Sequence, residues 1–192
     1  MRQRREYALE KGKQLLGYIT IDEKDNYFCG AALVTDSRGI PVDFRYTEPV
    51  RPTRLERILY GGALDIYLRE EVILENLIGA VEAKPSLWVT NDVDLIRPIE
   101  KISRTTTLCL EKSSHSPLDQ TGSSEPQPEK GVFLLQADGI SSPLRVTLSD
   151  ESLAKSASIF QNLVDAAGEM ELMEPFSRIG KAMEAVADSA SK

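Results

Sequence analysis

Between residues 15 and 47 lie three apolar runs, LLGYITID, YFCGAALVT and IPVDFRYT, separated only by the turn segments EKDN and DSRG. Connections this short reverse the chain, so the runs read as an antiparallel meander, with Gly39 supplying the positive φ that the second turn requires. The first run is apolar on both alternating faces: Leu16 and Tyr18 with Thr20 on one, Leu15, Ile19 and Ile21 on the other. Such a strand belongs in the middle of a sheet. The third alternates cleanly, with Ile40, Val42, Phe44 and Tyr46 opposite Asp43, Arg45 and Thr47, and Pro41 near its start marks an edge.

Helical spacing follows. Thr53-Arg54-Leu55-Glu56 fits a capping box, after which Leu55, Ile58, Leu59, Ile66 and Tyr67 recur on one side, interrupted by Gly61-Gly62. A second helix over 70–83 carries Val72, Ile73, Leu77, Ile78 and Val81 and stops at Lys84-Pro85. LWVT at 87–90 and TTTLCLE at 105–111 read as strands, and 131–150 as a hairpin. Two helices close the chain: one striped by Leu153, Ala157, Phe160 and Val164, the other starting near Pro175 with Phe176, Ile179 and Met183 on one side.

The expected fold is therefore α+β: a mainly antiparallel sheet of about five to seven strands, helices on one face, and a C-terminal helical pair. In its order of elements this is similar to small scaffolds of the profilin or roadblock kind, with no residue motif to tie it to them. The expected organisation is a core over 1–111, a flexible Ser/Pro-rich loop or linker over 112–130, and a hairpin with two helices over 131–192 packed on the same core. Residues 1–14 are charged and read as a short helix or loose arm.

Composition bounds the function. The chain has 192 residues, 41% of them hydrophobic, so one core can bury about 70% of the unfolded surface without metal or disulfide. Its two cysteines, Cys29 and Cys109, sit inside apolar runs as small hydrophobes of a reducing compartment. A net charge of −7 excludes a featureless grip on nucleic acid or anionic membrane and leaves room only for a local basic patch. Nowhere are there 18 consecutive apolar residues, so the expectation is a cytoplasmic protein without a membrane partner.

No stretch names a reaction. The single histidine, His115, lies in the polar 112–130 segment, no serine stands in a nucleophile-elbow motif, and the glycines do not form a phosphate loop. Carboxylates gather at strand ends, Asp22, Glu23 and Asp25 after the first strand and Asp92 with Asp94 after LWVT, where they suit a metal-dependent hydrolase or simply solvated turns. Arg45, Arg51, Arg54 and Arg57 cluster around the start of a helix, where free amide groups favour an anion; Asp43, Glu48 and Glu56 stand ready to neutralise them. Phe160, Phe176, Ile179 and Met183 form apolar stripes that either dock a partner or pack on the sheet. With no base, nucleophile or cofactor loop, the leading expectation is a non-enzymatic interaction or accessory subunit. It would bind another protein or a second copy of itself and need neither cofactor nor metal. The alternative is a phosphate or nucleic-acid binding module built on the arginine cluster.

Overall fold

The computed structural model describes residues 14–24 and 26–190. The arm read over 1–14 lies outside the described residues except for Gln14, as does Asp25. The meander is present as β1 (Leu15–Lys24), β2 (Tyr27–Asp36) and β3 (Pro41–Tyr46), with β1 and β2 antiparallel from Leu15↔Asp36 to Lys24↔Tyr27. Asp36 closes the second turn. Its carboxylate accepts the amides of Arg38 and Ile40, each at 3.0 Å, and Gly39 takes a φ of 78°.

Five more strands complete one sheet: β4 (Leu87–Thr90), β5 (Thr107–Lys112), β6 (Ser124–Pro126), β7 (Val132–Leu135) and β8 (Leu144–Leu148). Their order is β3-β2-β1-β4-β5-β8-β7-β6, eight strands where five to seven were expected. The sheet is also mixed, because β1 pairs parallel with β4 and β4 parallel with β5. The reason lies in the connections: parallel neighbours need a crossover of a dozen or more residues, and both the 47–86 and the 91–106 segments return the chain to the same end through helices. The extra strand comes from the Ser/Pro-rich segment, where Ser124–Pro126 pairs with β7 at the sheet's edge. The buried Gln136 side chain anchors that region by accepting the Leu118 amide at 2.8 Å and donating to the Ser141 carbonyl at 2.8 Å.

Helices cover both faces rather than one, as the two-faced apolar pattern of β1 demands. Over one face run α1 (Arg54–Tyr60), a 3-10 turn, α2 (Leu64–Ile66), a π-helical stretch Tyr67–Leu74, α3 (Glu75–Ala80) and α4 (Ile96–Ser103), burying Ile73, Leu74, Leu77 and Ile99 against Ile19 and Trp88. Over the other lie α5 (Ser156–Ala167) and α6 (Glu174–Ala190), where Leu163 and Ile179 pack on Tyr18, Val89 and Leu108. Close approach explains two strand glycines. A Cβ on Gly17 would stand 2.4 Å from the Trp88 ring, and one on Gly30 would stand 2.5 Å from Ile73 Cγ2. The capping box forms as read, with Thr53 Oγ1 accepting the Glu56 amide at 3.2 Å and Glu56 accepting that of Thr53 at 2.6 Å. Yet α1 buries none of its residues. Among the described residues no helix is long and apolar enough to cross a membrane.

Candidate nucleic-acid interface

Ligands of open sheets gather outside the carboxyl ends of parallel strands, and here that locus lies where β4 stops at Thr90 between β1 and β5, which run on to Lys24 and Lys112. In register across it stand Ile19, Thr90 and Cys109, all buried. Just beyond lie Asp22, Asp92 and Glu111, with Arg145 across the β5–β8 pair and 3.6 Å from the Glu111 carboxylate. The π-helical stretch delivers Arg69, whose guanidinium pairs with one oxygen of Asp92. The other oxygen accepts the Asp94 amide at 2.9 Å, so Asp92 caps the short turn Val93–Leu95.

This neighbourhood shows in the cysteines. Burial, then the Glu111 and Asp92 charges, pushes the Cys109 thiol up to about 12. Burial and Asp22 raise Cys29 in the same direction. Both remain thiols near neutral pH, inert as nucleophiles.

The strand-end residues do not fit a divalent cation. Among the described residues no group of three or more His, Cys, Asp or Glu side chains is placed to hold one, and the side chains in register at the junction are aliphatic, hydroxyl and thiol. Asp92 is already committed to Arg69 and to a backbone amide, while Asp94 is an exposed residue of the turn.

The four clustered arginines divide. Arg45 is neutralised locally, 2.9 Å from Asp43 and 3.3 Å from Glu82. Arg51 lies exposed over the Tyr27 ring, 5.4 Å from its centroid. Arg54 and Arg57 project from exposed α1, and Glu56, which the sequence offers as their counterion, is bound into the capping box. Leu55, Ile58 and Leu59 share that exposed helix at 63%, 67% and 71% accessibility.

The apolar stripes proposed for docking are occupied within the chain. Phe160 and Ile179 are buried in the core, and Phe176 and Met183 pack against it. Phe176 meets Tyr18 edge-on at 5.4 Å, and Phe160 meets Phe133 at 5.1 Å. Sequence reasoning passed over Arg69 and the cations of α4, Arg97, Lys101 and Arg104. The latter were findable as an i, i+4, i+7 series.

No family model and no curated protein matches the sequence. Solved structures do match. The endonuclease V of Bacillus subtilis superposes with a TM-score of 0.61 at 10% identity, covering 94% of this chain and 83% of that one. Human ENDOV gives 0.56 at 12% identity over 91% and 87% of the two chains. The fold is that of endonuclease V. A Ciona intestinalis endonuclease V, solved with a 23-mer DNA containing an inosine followed by a ribo-adenosine, gives 0.45 at 14% identity over 76% of each chain. The Bacillus subtilis and human matches correct the leading expectation from sequence. A non-enzymatic accessory subunit was inferred from missing catalytic motifs, but the scaffold is one on which endonucleases are built, and it replaces the profilin and roadblock analogy.

Proposed function

We propose that this chain is a nucleic-acid-processing protein that grips a strand by its phosphates near the carboxyl ends of β1, β4 and β5. The observation that carries the reading is the superposition of nearly the whole chain on two endonuclease V structures. The surface chemistry supports it. Arg51, Arg54 and Arg57 are exposed cations beside exposed aliphatic side chains, which together suit a charged backbone and apolar base faces. A guanidinium holds a phosphate through two parallel N–H bonds, and each phosphate neutralised releases counterions, so affinity falls as salt rises. On a chain of net charge −7 that attraction is confined to the local patch and is correspondingly salt-sensitive.

The test is fluorescence anisotropy with labelled single-stranded and duplex DNA and RNA, followed by gel analysis of the same oligonucleotides incubated with the protein and magnesium or manganese. Binding that weakens with salt and drops roughly tenfold or more in Arg54→Ala plus Arg57→Ala is the expected result. Absence of binding to every oligonucleotide, at low salt and with intact fold, overturns the reading.

A further inference from the structure

Outside the strand-end locus, α4 carries a second row of exposed cations. Arg97, Lys101 and Arg104 recur at i, i+4 and i+7, which places them on one side of the helix. All three are exposed, and none forms an ion pair or side-chain hydrogen bond among the described residues. They line a cavity of about 590 Å³ together with Ser149. Ser149 is only 7% exposed, and among the described residues its buried hydroxyl has no hydrogen-bond partner, an unusual state for a polar group in a folded chain.

Carboxylates also line this cavity, and their commitments decide its balance. Glu100 accepts the Thr107 amide at 3.1 Å and the Ser152 hydroxyl at 2.8 Å, while Asp150 pairs with Lys130 at 3.0 Å. Hydrogen bonds from neutral groups leave the Glu100 charge in place, so Glu70, Glu100 and Glu151 equal the three cations in number, but Glu70 and Glu100 are half-buried while all three cations are exposed. Arg104 adds a further peculiarity: it holds the left-handed C-cap of α4, φ 58° and ψ 23°, where glycine or asparagine is the usual occupant.

We propose that this side of α4 is a second phosphate contact, along which a bound strand continues away from the strand-end locus. The inference rests on the nucleic-acid reading above and extends it. The path is set by topology: α4 begins a few residues past the carboxyl end of β4 and finishes just before the amino end of β5. Its axis therefore leads from one end of the parallel strands toward the other. From Arg97 to Arg104 the helix rises about 10 Å. At about 3.4 Å per phosphate that is about three intervals along one B-form strand, enough length for three separate phosphate contacts. Three cations in a row take three phosphates, and the Ser149 hydroxyl supplies a donor to one of their oxygens.

The experiment compares wild type with the triple variant Arg97→Ala, Lys101→Ala, Arg104→Ala, titrating labelled single strands of increasing length over a range of salt. Circular dichroism and melting temperature confirm that three exposed substitutions leave the fold intact. The inference expects the slope of log affinity against log salt to shrink by about 2, at roughly 0.7 per lost single-strand phosphate contact, and affinity for longer strands to fall at least tenfold. Ser149→Ala is expected to lose several-fold while keeping the slope. If wild type binds strands and the triple variant matches it in affinity and slope, the α4 contact falls and the functional reading stands. If wild type binds no strand, both fall together. A mononucleotide arm separates the phosphate source: loss of mononucleotide binding in the variant, with strand affinity and slope unchanged, would make this a site for a free phosphorylated molecule and overturn the track.

Discussion

Gly30 tests how closely the helical layer sits on the sheet that positions Arg69. It lies inside β2, and a Cβ there would approach Ile73 Cγ2 to 2.5 Å and Leu77 Cδ1 to 2.9 Å. Were the site open, replacing a strand glycine by alanine would stabilise by about 0.5–1 kcal/mol, because the unfolded chain loses freedom. Both neighbours are buried, Ile73 at 0% and Leu77 at 2% exposure, so they have little room to yield. Overpacking of this kind costs about 1–3 kcal/mol, and the structure accordingly predicts a net destabilisation in Gly30→Ala. For a chain of this size each kcal/mol moves the melting temperature by about 2–4 °C, so calorimetry should show a fall of several degrees. Urea titration should show a lower midpoint at unchanged slope. A second arm uses Ile73→Leu, which removes the β-branched methyl at nearly constant volume. In that background Gly30→Ala should cost at least about 0.5 kcal/mol less, the coupling expected of residues in contact. A neutral or stabilising Gly30→Ala would refute the close packing inferred here.

Two further predictions concern titratable groups. Burial would raise the Asp36 carboxyl, but hydrogen bonds from the Arg38 side chain and the Ile40 and Arg38 amides outweigh it and hold the carboxyl below the ordinary range. Its stabilisation is therefore complete above the unfolded value near 4 and is lost as pH falls through the lower folded value. Asp36→Asn should be less stable at neutral pH by about 1–3 kcal/mol and should show a shallower acid limb; identical acid limbs would refute the assignment. Cys109, pushed up to about 12, should resist iodoacetamide at pH 8 in the native state and react only on unfolding, as peptide mapping would show. Rapid native labelling of Cys109 would contradict its burial.

Much of the fold was legible because local rules were obeyed. The meander turns, the capping box at Thr53 and the strands LWVT and TTTLCLE appear where periodicity placed them. What escaped was long-range. Parallel pairing of β1 with β4 depends on the path of a forty-residue connection, which no local pattern encodes, and the 53–83 region winds through 3-10 and π segments whose limits no residue spacing marks. β6 was missed because a three-residue edge strand reading SEP has no apolar face and is held only by backbone pairing with β7. At the site, proximity of Arg54 and Arg57 to a helix start was visible, but the loss of Arg45 to Asp43 and Glu82 was only partly so, since Glu82 lies 37 residues away. The docking stripes were real stripes; their partner is the sheet. The strand-end locus was illegible because the residues in register there, Ile19, Thr90 and Cys109, are far apart in sequence and form no motif.

The most direct measurement is the salt dependence of single-stranded oligonucleotide binding by the intact chain, compared with the Arg51→Ala, Arg54→Ala, Arg57→Ala variant. The nucleic-acid reading predicts a linear fall of log affinity with log salt, and in the variant a shallower slope, by roughly 0.7 for each phosphate contact removed, with weaker binding throughout. Failure of the folded wild-type chain to bind at low salt, or binding indifferent to both salt and the three substitutions, would contradict it.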